Sequence, residues 1–193
     1  MIKAIIFDCF GVLTTDGWHP FKNKYFAHDS DKAKEATKLN GLANSGQIEF
    51  QQFLNQVGDL AGLSAQQVHY EISRNVANEK LFEYIKGLAV QYKIGMLSNA
   101  AQNWLGELFG PTRLEFFDGI VLSCDIGVNK PQKGAYEAIA SKLNVRPEEC
   151  IFVDDLTSYL HGAEAVGMTA IQYTDFDQFK TELEAVLKND QSE

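Results

Sequence analysis

The sequence predicts an α/β protein with a doubly wound, Rossmann-like parallel sheet and a small α-helical cap inserted into it. Short runs rich in Ile, Val and Phe are hydrophobic almost without interruption, which indicates strands buried on both faces. From residue 92 onward these runs alternate with helix-like segments, as they do in βαβ units. About eighty residues separate the first run from the second, more than one crossover helix requires, so we expect an insertion there.

The predicted elements follow from these runs in chain order. Strands are expected at residues 3–8, 92–98, 119–124, 150–154 and 169–173. Helices of the core are expected at residues 101–109, 133–143, 157–166 and 176–187, and helices of the insertion at residues 30–42, 50–60 and 64–76. We therefore predict a core domain formed by residues 1–15 and 85–193 and a helical cap domain formed by residues 16–84.

Composition and charge narrow the possible functions. The chain has 193 residues, of which 45% are hydrophobic, and this is enough to bury a core. Its formal net charge of −9 would repel a nucleic acid backbone, so nucleic acid is not expected as a partner. The apolar stretch at residues 4–7 is too short to cross a membrane, and no signal peptide is recognisable, so we expect a cytoplasmic protein without a membrane partner. Cys9, Cys124 and Cys150 form no CxxC pair and are expected to be reduced.

Polar side chains stand at the carboxyl ends of the predicted strands or just beyond them. In chain order these residues are Asp8, Ser98, Asn99, Lys130, Asp154 and Asp155. Taken singly, an Asp, Ser or Asn at a strand end is more often a turn or helix-cap residue. In an open parallel sheet, however, ligands bind at this edge, so we expect the six residues to converge. Carboxylates, a hydroxyl group and a lysine in one place are typical of a site for phosphate and magnesium.

Four motifs that contain these residues resemble a known family. In chain order the motifs are "FDCFGVL", "MLSNA", "FFDGIVLSCDIGVNKP" and "FVDD…GAEAVGM". Their order and approximate spacing resemble the haloacid dehalogenase-like hydrolase superfamily, in the subgroup with a helical cap of the C1 type between the first two strands. Each motif is weak alone, but together they cover essentially the whole chain. The resemblance implies a hydrolase, and most readily a phosphatase for a small phosphorylated molecule.

The resemblance also implies roles in catalysis and phosphate binding. Asp8 would attack the phosphorus of a phosphomonoester and form an aspartyl-phosphate. Lys130 would bind the phosphate and keep Asp8 ionised. Ser98 and the backbone amides beside it, including that of Asn99, would hold the oxygens of the transferring phosphoryl group.

One Mg²⁺ ion is the cofactor that the resemblance implies. Its ligands would be Asp8, the backbone carbonyl oxygen of Phe10 and Asp155, with water and a phosphate oxygen completing the shell. Adjacent strand residues point to opposite sides, so Asp154 and Asp155 are not expected to face the ion together. By the resemblance, Asp155 is the direct ligand and Asp154 stands one step further from the ion.

Phe10 departs from the pattern of related phosphatases, which carry an acid two residues after the nucleophile. That acid protonates the leaving oxygen and then activates water, and a phenylalanine can do neither. Because general acid–base help is typically worth about 10²–10⁴-fold in rate, we predict either slow turnover of alkyl phosphates or a substrate with a good leaving group. Anomeric sugar phosphates and acyl phosphates fit this requirement. Tyr159 and His161 are smaller departures in the fourth motif.

Two other interpretations stay open. An aromatic residue at position 10 is typical of 2-haloacid dehalogenases, which use the same aspartate on carbon without a metal. Asp154 and Asp155 would repel an anionic haloacid, and Arg74 is the only arginine of the inserted segment, so the sequence disfavours this activity. Without its acid, the protein could also be a degenerate relative that only binds a phosphorylated molecule or a protein as a sensor. The cap stretches at residues 18–21 and 44–53 are candidates to face the substrate.

Overall fold

A computed structural model describes residues 1–190 and contains a five-stranded parallel sheet within them. The strands are β1 (Ala4–Phe7), β2 (Lys93–Ser98), β3 (Gly119–Leu122), β4 (Cys150–Asp154) and β5 (Thr169–Gln172), and their order across the sheet is β3-β2-β1-β4-β5. Phe7, the last residue of β1, pairs with Met96 of β2 and with Val153 of β4. The strand order therefore reverses at β1, and the predicted α/β class with a parallel sheet is confirmed.

Helices cover both faces of this sheet. In chain order they are α1 (Trp18–Phe26), α2 (Ser30–Asn44), α3 (Phe50–Ala61), α4 (Ala65–Ile72), α5 (Glu79–Leu88), α6 (Leu105–Leu114), α7 (Ser123–Ile126), α8 (Lys133–Lys142), α9 (Thr157–Glu164) and α10 (Phe176–Asp190). On one face, Phe7 of β1 shares a core with Ile85 of α5 and Phe179 of α10. On the other face, Ile6 shares a core with Ile139 of α8. Both faces of β1 are buried, which explains its uninterrupted hydrophobic sequence.

Helices α1 to α4 lie between β1 and β2 in the chain and have a core of their own. Its buried residues include Phe21, Phe26, Leu39, Phe53 and Val57. The inserted segment is helical, as predicted. The next helix, α5, contributes Leu81, Phe82 and Ile85 to the core of the sheet. The domain limits at residues 15 and 85 stay a prediction.

The loop after β2 differs from the prediction of a helix at residues 101–109. Helix α6 begins only at Leu105, whose backbone N–H donates a 3.1 Å hydrogen bond to the side-chain oxygen of Asn103. This local bond competes with helical pairing and keeps Ala101 and Trp104 outside the helix. Within α6 the helix is kinked at Gly110, which has a φ of 66° and precedes Pro111.

Other element boundaries also differ from the prediction. The predicted third strand ends two residues early, because Ser123 begins the short helix α7. The predicted helix at residues 64–76 ends at Ile72. Helices α1 and α5 were not predicted, although the apolar spacing of Leu81, Ile85 and Leu88 would have indicated α5. Among the helices at residues 1–190, none has both the length and the apolar character needed to cross a membrane.

Candidate active site

Asp8 lies at the carboxyl end of the central strand, where the strand order reverses. It follows β1 directly, and its backbone N–H donates a hydrogen bond of 2.9 Å to the carbonyl oxygen of Val153 in β4. Only 5% of Asp8 is exposed. Its carboxylate is therefore fixed at the edge of the sheet where ligands bind in this class of fold.

Lys130 reaches the same edge from the loop between α7 and α8. Its Nζ lies 2.6 Å from Asp8 Oδ1 and 2.6 Å from Asp154 Oδ2, and its side chain is fully buried. The centroid of the Tyr159 ring lies 4.9 Å from the same Nζ. Burial of a charge is costly unless the charge is paired, and here one cation is shared by two carboxylates. The structure thus brings these predicted residues together, and their catalytic roles stay a prediction.

Burial and neighbouring charges decide how these groups ionise. Burial raises the pKa of Asp8 to about 8, although the Lys130 ammonium opposes this effect. Burial alone would lower the pKa of Lys130, but the carboxylates of Asp154 and Asp8 outweigh it, so its pKa is raised above the ordinary value. Burial also raises the pKa of Asp155 to about 6, and the Asp154 charge adds to the effect. A further cation near Asp8 and Asp155 would favour their charged forms.

Asp155 carries the feature that best fits a metal ion. Asp8, Asp154 and Asp155 each offer a carboxylate oxygen, and these oxygens lie within 4.8 Å of one another. The Oδ1 atom of Asp155 is buried and has no hydrogen-bond partner within the described chain. Gly11, with a φ of +95°, lies against this carboxylate, and a Cβ at that position would come 2.6 Å from Asp155 Oδ2. The oxygen ligands that Mg²⁺ prefers are therefore present and unsatisfied.

The backbone at Phe10 offers a further oxygen. The N–H of Gly11 donates to the carbonyl oxygen of Thr14 (2.7 Å), and the N–H of Thr14 donates to that of Cys9 (2.9 Å). Neither bond involves Phe10, whose carbonyl oxygen accepts no hydrogen bond within residues 1–190. The carbonyl oxygen is thus available as the predicted metal ligand, whatever the side chain at this position.

Asp154 uses both of its carboxylate oxygens within the protein. Oδ2 accepts a hydrogen bond from Lys130, and Oδ1 accepts one of 2.9 Å from the N–H of Leu156. Both oxygens are thus already engaged, and the position of Asp154 one step from the ion stays a prediction. The expectation that Asp154 and Asp155 point apart is wrong, however, because β4 ends at Asp154 and Asp155 lies beyond the strand alternation.

The end of β2 contributes a hydroxyl group and a positioning amide. Ser98 is fully buried, and its Oγ has no hydrogen-bond partner among the residues that the structure describes. The side chain of Asn99 is occupied: its oxygen accepts from the N–H of Lys130 (2.8 Å) and its nitrogen donates to the carbonyl of Lys130 (3.1 Å). The Ser98 hydroxyl therefore fits the predicted phosphate binding, whereas Asn99 has only its backbone amide left for it.

A cavity of about 110 Å³ lies beside Asp8, between the inserted helices and the edge of the sheet. Both predicted cap stretches reach it, through Trp18, His19, Asn44, Phe50 and Phe53. The core side contributes Phe10, Asn99, Trp104, Leu156 and Tyr159. The inserted segment therefore borders the space next to the candidate nucleophile. Trp104 and Tyr159 were not predicted as lining residues.

An Asp–His pair in this cavity was also not predicted. Asp16 Oδ2 lies 2.5 Å from His19 Nδ1, and both residues line the cavity. The bond to Asp16 raises the pKa of His19. Burial pushes the pKa of Asp16 upward, but the hydrogen bonds from His19 outweigh it and the pKa is lowered. Asp16 stands two residues before α1 and accepts from the N–H groups of Trp18 and His19, and an Asp just ahead of a helix is a signal that could have indicated this pair.

Ser123 joins the core to the inserted helices. Its hydroxyl accepts a hydrogen bond of 3.0 Å from the N–H of Ala100 and donates one of 2.5 Å to the carbonyl oxygen of Asn44. Asn129 makes a second connection, donating from its side chain to the carbonyl oxygen of Gly41 at 2.8 Å. The bonds to Asn44 and Gly41 hold α2 close to the end of β2, which carries Ser98, and to the loop that carries Lys130.

A family model for haloacid dehalogenase-like hydrolases matches residues 2–167 of the chain. D-ribitol-5-phosphate phosphatase of Bacteroides thetaiotaomicron is 26% identical and covers 98% of this chain and 100% of its own length. The sesquiterpene phosphatase astK of Aspergillus oryzae is 28% identical over 90% of each chain. The fold is shared with a haloacid dehalogenase family enzyme from Bacteroides thetaiotaomicron, solved with magnesium and inorganic phosphate (TM-score 0.72, 20% identity, 89% of this chain and 94% of that one). The chain therefore belongs to the haloacid dehalogenase-like hydrolases, as its motifs indicate.

Proposed function

We propose that this haloacid dehalogenase-like hydrolase is a Mg²⁺-dependent phosphatase that acts on a small phosphorylated molecule through an aspartyl-phosphate on Asp8. The observation that carries the proposal is the buried charge cluster at the sheet edge. In it, Lys130 Nζ lies 2.6 Å from Asp8 Oδ1, and the Oδ1 of nearby Asp155 has no partner within residues 1–190. A buried ammonium beside an unsatisfied carboxylate suits a phosphate dianion and a divalent cation bound together.

The names of relatives support the phosphatase class. One relative that matches nearly the whole chain is named for D-ribitol 5-phosphate, and another for sesquiterpene phosphates. The two substrates in these names differ widely in polarity, so they indicate the reaction and do not identify the alcohol that is released. Related enzymes of one fold commonly keep the chemistry and change the part of the site that binds the leaving group.

Catalysis would proceed in two displacements at phosphorus. In the first, a carboxylate oxygen of Asp8 attacks phosphorus, the bond to the ester oxygen breaks, and the leaving oxygen departs with that electron pair as an anion that takes its proton from solvent. In the second, water attacks the phosphorus of the aspartyl-phosphate and loses a proton to solvent, the bond between phosphorus and the Asp8 oxygen breaks, the Asp8 carboxylate is restored, and inorganic phosphate is released. Lys130 and Ser98 bind the phosphoryl oxygens in both steps, where charge spreads over them.

The residues present fit one Mg²⁺ ion. Asp8, Asp155 and the carbonyl oxygen of Phe10 would hold it, and Asp154 would orient Lys130 beside it. When bound, Mg²⁺ supplies the positive charge that reduces the repulsion between a carboxylate and a phosphate dianion.

Phe10 restricts the substrates that such an enzyme turns over quickly. Its ring cannot donate a proton to the leaving oxygen or take one from water. The leaving group must then depart as an anion or be protonated by solvent, which favours a good leaving group. Anomeric sugar phosphates and acyl phosphates meet this condition, and alkyl phosphates do not.

The expected partner is a small phosphorylated molecule of the cytoplasm, with no nucleic acid and no membrane involved. A net charge of −9 supports this, because it opposes approach to phosphate-rich surfaces outside a site that carries its own cations.

Phosphate release tests the proposal. Acetyl phosphate, an anomeric hexose phosphate and an alkyl phosphate are incubated with the protein in Mg²⁺, in EDTA, and with the variant Asp8→Asn. We expect release from the first two in Mg²⁺ only, slow release from the alkyl ester, and none from Asp8→Asn. Metal-independent chloride release from 2-chloropropionate would instead identify a dehalogenase. Binding of phosphate without turnover of any ester would identify a sensor, the candidate that the missing acid at Phe10 favours.

A further inference from the structure

We propose that the cavity beside Asp8 is the leaving-group site for a monocyclic aryl phosphate, the phosphate ester of a phenol with one ring. This inference deepens the proposed phosphatase function and rests on it. Four observations carry it: the aromatic wall of the cavity, two unpartnered polar atoms, the cavity volume, and the side chain at position 10.

A continuous row of aromatic rings forms one wall of the cavity. The ring centroids of Trp18 and Phe53 lie 5.6 Å apart, and those of Phe53 and Phe50 lie 5.9 Å apart. Phe50 then meets Trp104 edge-on at 4.8 Å. The row crosses from the inserted helices to the core, and Phe10 lines the same cavity from the sheet side. Rings at such separations bind a further ring by offset or edge-on contact.

Two buried polar atoms belong to residues that line this cavity and lack a partner within the described chain. They are Nε1 of Trp104, which can only donate, and Oδ1 of Asn75, which can only accept. A buried polar atom without a partner is unfavourable, so a ligand that satisfies both atoms gains affinity. A hydroxyl group on the ring can serve either atom, because it both donates and accepts.

The volume of the cavity is on the scale of a single ring. At about 110 Å³ it is smaller than an engineered apolar cavity of about 150 Å³ that holds benzene in another protein. The space beside Asp8 is therefore of the scale that one ring occupies.

Phe10 connects this apolar wall to the chemistry. A phenol ionises with a pKa of about 10, as tyrosine does, whereas water, which an aliphatic alcohol resembles, has a pKa of about 15.7. An aryloxide therefore leaves without the proton donor that position 10 lacks. The same side chain also adds apolar surface for the ring. A polyol leaving group gains from neither property.

Phosphonates test this site without turnover, because their carbon–phosphorus bond is not hydrolysed. Trp18 and Trp104 are the two tryptophans of the chain, and both line the cavity, so tryptophan fluorescence reports its occupancy. In Mg²⁺ we expect phenylphosphonate to bind roughly tenfold more tightly than methylphosphonate, as measured by calorimetry. Phenylphosphonate should change the fluorescence, and methylphosphonate should leave it unchanged.

Variants of the wall separate this site from the phosphate site. Trp104→Leu should reduce the preference for phenylphosphonate to less than about threefold and leave binding of methylphosphonate intact. Phe50→Leu removes the neighbouring ring and serves as the second variant if Trp104→Leu does not fold. Tyr70→Leu is the matched control, because this ring is 62% exposed and lies outside the cavity.

The results distinguish failure of the aryl leaving-group site from failure of the phosphatase function. Equal affinity for the two phosphonates, or tighter binding of a polyol phosphonate, would overturn the aryl leaving group and leave the phosphatase intact. Retention of the full preference in both wall variants would also overturn it. If inorganic phosphate and both phosphonates fail to bind in Mg²⁺, the phosphatase function fails and the aryl site fails with it.

Discussion

The two halves of the candidate site are built in opposite ways. At the sheet edge, Asp8, Lys130 and Asp154 are buried and satisfy one another's charges at distances of 2.6 Å. Across the cavity, aromatic rings from the inserted helices and the core pack together, while polar atoms of Trp104 and Asn75 remain without partners among residues 1–190. Asp155 Oδ1 and Ser98 Oγ also lack partners among those residues, so both halves have polar groups left for a ligand, but only the charged half is held together by buried ion pairs. The reaction and the choice of leaving group should therefore respond to different mutations.

The largest expected effect comes from the nucleophile of the charged half. Asp8→Asn keeps the size of the side chain and removes the carboxylate that attacks phosphorus, so we expect phosphate release to fall by at least about 10³-fold. Asp59→Asn, in an exposed position of α3, is the matched control and should retain activity. Full activity of Asp8→Asn, measured by phosphate release in Mg²⁺, would show that the nucleophile lies elsewhere.

Removing the buried cation should cost the most stability. Lys130→Met leaves Asp8 and Asp154 buried without their counter-charge, and breaking a buried pair in this way typically costs about 3–5 kcal/mol. The free energy of unfolding in urea measures the effect. Lys133→Met, three residues on, removes a lysine that is 71% exposed and paired with Glu137, and it should change the free energy by less than about 0.5 kcal/mol. Equal effects of the two substitutions would contradict the burial of Lys130.

Phe10 contributes to both halves of the site. Replacing its ring by an acid should add a proton donor and remove apolar surface from the cavity. Phe10→Asp restores a proton donor, so turnover of alkyl phosphates should rise by about 10²-fold or more. Affinity for Mg²⁺ should not change, because the proposed ligand is the backbone carbonyl oxygen. Phe10→Leu supplies no acid and should leave alkyl turnover low. A Phe10→Asp variant with reduced alkyl turnover and reduced metal affinity would refute this view of position 10.

The smallest expected effect concerns the Asp16–His19 pair on the cavity wall. The stability that His19 contributes to the folded state through this pair is complete below the unfolded pKa of about 6.5. It is lost as pH rises through the raised pKa of His19 in the folded state. The contribution from Asp16 is complete above about 3.8 and is lost as pH falls through its lowered pKa. The destabilisation by His19→Gln should thus be largest between about pH 4 and 6.5 and stay below about 1 kcal/mol, because the ring is half exposed. Unfolding curves across pH would contradict this if the difference grew above neutral pH.

The charged half could be predicted from the sequence because its residues follow strands that are visible as hydrophobic runs. Asp8, Ser98 and Asp154 are placed by strand ends alone, and Lys130 by the motif that surrounds it. Asp155 shows the limit of this reasoning, since strand alternation no longer applies one residue beyond β4. The parallel sheet and the helical insertion were predicted for the same reason, from runs whose hydrophobic composition indicates that they are buried.

The apolar half could be predicted only in part. Residues 18–21 and 44–53 were expected near the substrate, but nothing local marks Asn75 or Trp104 as their neighbours. Trp104 lies in a stretch that is predicted to be helical, but the local bond from the Leu105 N–H to Asn103 delays the start of the helix. Contacts between the inserted helices and the core depend on packing across long sequence distances, which a pattern along the chain does not record.

A crystal structure with Mg²⁺ and beryllofluoride, a mimic of a phosphoryl group, tests the central claim most directly. We predict beryllofluoride bonded to a carboxylate oxygen of Asp8, with Lys130 and Ser98 in contact with its fluorine atoms and Mg²⁺ bound to Asp155 and to the carbonyl oxygen of Phe10. Beryllofluoride absent from Asp8, or Mg²⁺ bound away from Asp155, would contradict the claim that this site forms an aspartyl-phosphate.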